Sequence, residues 1–326
     1  MQARKMGLAG LVAVLLATGG AMAGTYQLMA VQGAMVCGVS PSGSAMVGMT
    51  SDVNGNGWLW NVGTVSTFKL PGTSYVCLCG INDSGQIAGY GNYPGAGPGF
   101  SAGGQVGFTT SISNFGTTTP LNSPTPDSLA FGINNAGTAL GSYFHFDNVC
   151  HGLISYPNGT YGTPTYPGSW QTMVSGMNST GLTVGYYVDS GRKPHAWIRD
   201  TTGTFTSLDV GPLGTEAHGI NDLGSIVGEE EDAVGQFHGF VRDPSGNVET
   251  VDFPGAVTTV VTGITSTGEI VGWCSMPDGT AEGFYSVPEP ATLSLLALGG
   301  LAILRRRSGQ ALRRGSGLIL RRRKSA

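Results

Sequence analysis

Three histidines stand at matching places in successive segments of this chain of 326 residues: His151 before Gly152-Leu153, His195 before Ala196-Trp197, and His238 before Gly239-Phe240. Imidazoles repeated in this way could converge on a metal ion if they faced a common axis, because neutral imidazole is a frequent ligand of zinc. The simpler alternative is a structural imidazole that bonds within its own segment, and regular recurrence favours it. Glu282, Pro98 and Trp58 at the same place elsewhere weaken convergence further. Hard-cation chemistry has two candidates. In Asp52-Val53-Asn54-Gly55-Asn56-Gly57 the alternate oxygens of Asp52, Asn54 and Asn56 match the first half of a calcium loop, but position twelve is Gly63 rather than an acid. Asn-Gly is also an ordinary hairpin turn, and that reading is the stronger. Glu229-Glu230-Glu231-Asp232 could collect Ca²⁺ through Glu229, Glu230 and Asp232, although a solvated acidic turn explains the run more simply. No cofactor is therefore required, and Ca²⁺ alone is left open.

Aromatic platforms for sugar rings are offered by Trp58, Trp60, Tyr93, Trp170 and Tyr186, in competition with ordinary core packing. A His-Glu-x-x-His pair and a Lys-bearing phosphate loop are missing from the sequence. A carboxylate pair for glycoside hydrolysis is a spatial arrangement that spacing cannot reveal. The sequence thus names no reaction.

Composition narrows the partners. Setting aside Met1 to Ala23, with two basic residues, and everything from Pro288, with nine basic and one acidic, leaves 5 basic against 19 acidic residues, near −14. Such a surface repels phosphate backbones, so nucleic acid is not an expected partner. The five cysteines, Cys37, Cys77, Cys79, Cys150 and Cys274, all fall in this acidic part. Cys37 and Cys79 hold matching places, but pairing cannot be read from spacing and the odd count leaves one thiol over in a monomer.

The elements that must position these groups emerge from an internal repeat. Gly80-Ile81-Asn82-Asp83-Ser84-Gly85 recurs at Gly132, Gly176, Gly219 and Gly263, with a degenerate first copy at Gly38, at intervals of 42, 52, 44, 43 and 44 residues. In each copy an apolar residue ends a strand, and a side-chain oxygen (Ser40, Asn82, Asn134, Asn178, Asn221 or Thr265) opens a turn. Three residues on, a Gly suits the positive-φ position of a hairpin. A second strand follows, then a third beginning at residues such as His195 or His238, then a fourth such as Phe205 to Val210 or Val248 to Phe253. Four strands in about 43 residues predict a blade, and six copies predict an all-β, six-bladed β-propeller over residues 24–286. The sixth copy stops after Tyr285, one strand short, while Tyr26 to Val31 precedes the first copy, so the N-terminal strand is expected to complete the last blade. A β-solenoid is the rival architecture.

Both ends read as addresses. Met1 to Lys5 is short and basic, Leu8 to Ala17 is apolar, and Ala21-Met22-Ala23 precedes Gly24, which predicts a signal peptide over residues 1–23 cut between Ala23 and Gly24. At the other end Pro288-Glu289-Pro290 is followed by an apolar run from Ala291 to Leu304 and then Arg305-Arg306-Arg307. The run of fourteen residues would extend roughly 21 Å as a helix against a bilayer core of about 30 Å. With the N-terminus outside, the Arg cluster belongs inside. In order and position, residues 287–307 resemble the PEP-CTERM sorting signal of Gram-negative bacteria. That resemblance implies a transmembrane segment handled by a membrane enzyme, exosortase, in hosts that often make exopolysaccharide. Such proteins usually end at the basic cluster, whereas residues 308–326 continue as a basic tail on the cytoplasmic side.

The repeat itself resembles a bacterial extracellular repeat family named for a recurring His-Ala-Phe, with His195-Ala196-Trp197 and His238-Gly239-Phe240 as the nearest matches. That family brings a location and a repeat type but no reaction. Together these readings predict an exported, tail-anchored surface or matrix protein with a non-catalytic role linked to exopolysaccharide. The alternative is a carbohydrate-active enzyme with carboxylates at the propeller mouth.

Overall fold

A computed structural model describes residues 25–29, 33–50, 55–93, 104–115, 117–145 and 149–287, all within one compact unit that ends at Val287. The signal segment with Ala21, Ala23 and Gly24, the calcium-loop residues Asp52 and Asn54, and everything from Pro288, including Glu289, Pro290 and Arg305 to Arg307, lie outside the described residues.

Each repeat turn joins the first two strands of a four-stranded antiparallel sheet, and six such sheets follow one another. The first blade holds Ala34–Val39, Ala45–Thr50, Gly57–Asn61 and Thr64–Phe68; the second holds Tyr75–Ile81, Gln86–Asn92, Gln105–Ser111 and Thr119–Pro120. The third comprises Ser128–Ile133, Ala139–Phe144, Cys150–Ser155 and Tyr161–Gly162, and the fourth Gln171–Met177, Thr183–Val188, Pro194–Arg199 and Phe205–Ser207. Gly214–Ile220, Ile226–Glu231, Phe237–Arg242 and Val248–Val251 make the fifth. Thr258–Ile264, Ile270–Ser275 and Ala281–Val287 make three strands of the sixth, and Thr25–Leu28 supplies its fourth by pairing Tyr26 with Ser286 and Leu28 with Phe284. This is the six-bladed propeller with its ends tied together; a solenoid would not return the first strand to the last sheet. Tyr26 is buried in the seam, its ring edge-on to Phe284 at 5.7 Å.

Two local rules explain why this sequence makes blades. Asn82 accepts from the Gln86 amide at 2.9 Å through Oδ1, and Gly85 takes φ +75°, a conformation that a side chain strains. The second rule concerns the third strand. Trp58, Phe108, Leu153, Trp197, Phe240 and Phe284 each lie opposite a second-strand glycine and are buried. At Gly185 an added Cβ would come within 2.7 Å of the Trp197 ring and 2.1 Å of the Met173 carbonyl oxygen, so the missing side chain is the space the indole fills.

Two strand placements differ from expectation. Pro98-Gly99-Phe100 lies outside the described residues, and the third strand of the second blade is Gln105–Ser111, with Phe108 in the core position. An insertion before this strand accounts for the long 52-residue interval. The fourth strands are also shorter than the apolar pattern suggests, ending at Ser207 and Val251, because the chain then turns inward to begin the next blade.

Candidate functional site

The first strands are innermost. All six contribute to a central cavity of about 200 Å³, lined by segments such as Gly38-Val39, Cys79 to Ile81 and His218 to Asp222. Every first strand carries a bulge immediately before its repeat glycine, shown by the register shifts at Val36/Gly38, Leu78/Gly80, Ala130/Gly132, Val174/Gly176, Ala217/Gly219 and Val261/Gly263. The glycines let neighbouring strands approach, since a Cβ on Gly80 would lie 2.7 Å from the Gly132 Cα. Around this opening the turn residues staple blade to blade. Asn82 Nδ2 donates to the Asn134 carbonyl at 2.9 Å, Asn178 to Asn221 at 3.2 Å, and Asn221 to Thr265 at 3.0 Å, while the Ser266 amide reaches Pro41 at 2.8 Å across the closure. The repeat asparagine therefore works twice, as a turn former and as a bond to the next blade.

One cluster on the fifth blade is chemically unlike the rest, and its His218 borders the central cavity. Glu216 and His218 lie on the first strand of the fifth blade, and Glu229 stands directly across from Glu216 on the second. One ligand atom from each of these three side chains lies within 4.8 Å of the others. His218 Nε2 is 3.7 Å from Glu229 Oε1, too long for a hydrogen bond; the atom is buried and has no hydrogen-bond partner. Tyr186, from the second strand of the fourth blade, is close enough to Glu216 for the two groups to shift each other's pKa. Burial is the main cause that holds the Glu216 carboxyl up at about 7; His218 opposes it and Glu229 adds to it. Burial alone would lower the His218 imidazole, but Glu229 and Glu216 outweigh it and raise its pKa. For the Tyr186 phenol, burial followed by the Glu216 carboxylate pushes the pKa far above its usual range. The signal available in the sequence was Glu216-Ala217-His218, an alternation that places two ligand types on one strand face, but it needed Glu229 opposite to have meaning.

The sequence-predicted groups are distributed differently. His195 Nδ1 contacts both Asp209 oxygens at 3.1 Å and its Nε2 is 3.4 Å from Asp189; His238 sits 2.7 Å from Asp252 and 3.5 Å from Asp232. His151 stacks on Tyr143 at 5.4 Å. Each imidazole stays within its own blade, as the structural alternative has it. Strand alternation sends Glu229 and Glu230 to opposite faces, and Asp232 Oδ1 accepts from Val234 and Gln236 amides in the following turn, so Glu229, Glu230 and Asp232 are not gathered. Asn56, the described member of the other calcium set, pairs with Thr50 through backbone and hydroxyl, as a hairpin residue does. Among the aromatics, Trp58 is fully buried with Nε1 donating to Met49 at 3.2 Å, which makes it core rather than platform. Trp60 packs against the core beside it, Tyr93 is partly buried, and Tyr186 neighbours Glu216. Trp170 is exposed, with the Arg192 guanidinium 4.6 Å from its ring centre in a shallow depression shared with Gly168, Ser169 and Ser190.

The cysteines form a partial cluster: Cys77 Sγ lies 3.8 Å from Cys37 Sγ across two blades and 3.2 Å from Cys79 Sγ within its own. All five are thiols. The hydrogen bond to Cys77, followed by burial, drives the Cys37 thiol well above its usual range, the opposite of an activated nucleophile.

Residues 286–308 match the PEP-CTERM protein-sorting motif. The motif implies export, handling by an exosortase and C-terminal anchoring at a membrane. Its first residues are built into the propeller, because Ser286 and Val287 end the last strand and Ser286 Oγ accepts from the Ile270 amide at 2.8 Å. Among the described residues no helix is long and apolar enough to cross a membrane. No curated protein matches the chain. Solved structures resemble it in shape: a protein assigned as TolB from Agrobacterium tumefaciens has a TM-score of 0.54 at 13% identity, covering 82% of this chain and 92% of that one. A Trypanosoma rangeli sialidase bound to the inhibitor DANA has a TM-score of 0.53 at 10% identity, covering 81% of this chain and 56% of the sialidase chain. At such identities the likeness establishes the fold alone.

Proposed function

We propose that this chain is a non-catalytic propeller of the cell surface or extracellular matrix, carried out of the cell by its leader, held at the membrane by its sorting tail, and associated with exopolysaccharide. The observation that carries the reading is the junction at Ser286-Val287, where a sorting motif begins inside the last strand of a ring that is already closed. A cut beyond Val287 would leave every described blade whole. The third-strand segments His195-Ala196-Trp197 and His238-Gly239-Phe240 support kinship with the His-Ala-Phe repeat proteins of the bacterial exterior.

The central cavity, about 200 Å³ against the roughly 300–1,000 Å³ of small-molecule sites, is small for a sugar chain, which supports a reading in which the polymer is met on the outer surface. Exposed Trp170 beside Arg192 is the best-suited aromatic platform. Purified protein incubated with the host's own exopolysaccharide tests this: retention that weakens in Trp170→Ala, with no shortening of the polymer, supports the reading. Polymer cleavage that requires Glu216 or Glu229 would instead establish the carbohydrate-active alternative.

A further inference from the structure

We infer that Glu216, His218 and Glu229 form a binding site for one divalent transition-metal ion of the zinc class on the first two strands of the fifth blade, independently of the surface reading above. Two ligands each about 2.1 Å from a zinc ion are at most about 4.2 Å apart, and about 3.4 Å apart in a tetrahedron. The three ligand atoms already lie within 4.8 Å of one another, so small side-chain rotations complete the set.

Two further observations point to an occupant. Buried His218 Nε2 has no hydrogen-bond partner, although buried ring nitrogens are ordinarily satisfied. Glu216 and Glu229 are paired directly across two strands, and acids so placed repel unless a cation or a shared proton lies between them.

The set is also confined to one blade. At the positions equivalent to the Glu216–Glu229 pair stand Met35 and Met49, Cys77 and Tyr90, Leu129 and Ser142, Met173 and Tyr186, and Val260 and Trp273. Blade architecture therefore does not demand two acids here. An imidazole with two carboxylates suits zinc and its neighbours better than calcium, which prefers a cage of oxygens alone. His218 borders the central cavity, which supplies an entry path.

The test uses the full chain in mild detergent, stripped with chelator and titrated with zinc chloride by calorimetry. One zinc per chain is expected, with affinity at least tenfold weaker in His218→Gln and in Glu229→Gln and unchanged in Glu230→Gln. Zinc-edge X-ray absorption on the unmutated protein guards against variants that misfold: it should show one imidazole nitrogen among oxygens. Failure to bind zinc, binding unaffected by either substitution, or a coordination shell containing sulfur or several imidazoles would overturn the assignment.

Discussion

Closure of the ring can be tested at a single side chain. Tyr26 is 6% exposed, edge-on to Phe284 at 5.7 Å and tilted against Phe253 at 6.3 Å, so Tyr26→Ala empties an aromatic site at the seam. Removal of a buried aromatic costs about 3–5 kcal/mol, and the strand's position at the end of a four-stranded sheet argues for the lower figure, about 3 kcal/mol. For a domain of this size each kcal/mol lowers the melting midpoint by about 2–4 °C, so a fall of about 6–12 °C is expected. Leu28→Ala is the internal control, because Leu28 lies on the same strand but is 42% exposed, and its truncation should cost less than about 1 kcal/mol. Thermal unfolding of the purified protein followed by circular dichroism at one pH measures both. If Tyr26→Ala melts within 2 °C of Leu28→Ala, the N-terminal strand does not lock the propeller and the closure argument fails.

Two other perturbations probe the blade rules. Gly185→Ala places a Cβ 2.1 Å from the Met173 carbonyl oxygen and 2.7 Å from the Trp197 ring; overpacking of this kind costs about 1–3 kcal/mol, measurable by urea denaturation, and a neutral result would refute the packing rule. His238 titrates against Asp252 and Asp232, which outweigh burial and raise its folded-state pKa. Its stabilising contribution is therefore complete below the unfolded value near 6.5 and is lost as pH rises through the raised folded value. The stability gap between the unmutated protein and His238→Gln should be widest in mild acid and narrow towards alkaline pH; a gap that widens with pH would contradict the clamp.

Most of the architecture was legible because it is periodic. The interval of the Gly-Ile-Asn turns fixed the number of blades, and the missing strand after Tyr285 together with the spare strand at Tyr26 fixed the closure. The insertion in the second blade was misplaced because Pro98-Gly99-Phe100 resembles a third strand locally, whereas pairing with Gly89 selects Phe108. Trp58 misled for a related reason: a tryptophan at the start of a strand looks like a platform until the glycine opposite it, Gly48, shows where the ring goes. The Glu216, His218 and Glu229 cluster is not legible in the sequence because its carboxylates are 13 positions apart and meet only through cross-strand pairing. The asparagine staples were half visible, since the turn is local but its second hydrogen bond reaches the next blade, 43 residues away for Asn178 and 44 for Asn221.

The central claim is that a finished propeller is delivered outside and held there by its tail. Mass spectrometry of the protein recovered from the host's envelope and medium, for the unmutated chain and for Glu289→Ala, tests it most directly. The account predicts mature chains that begin at Gly24 and end beyond Val287 but short of Ala326, with Glu289→Ala exported yet retaining its tail in the membrane fraction. Recovery of Glu289→Ala processed and released like the unmutated protein, or of unmutated chains that keep residues 1–23 and the full tail inside the cell, would contradict it.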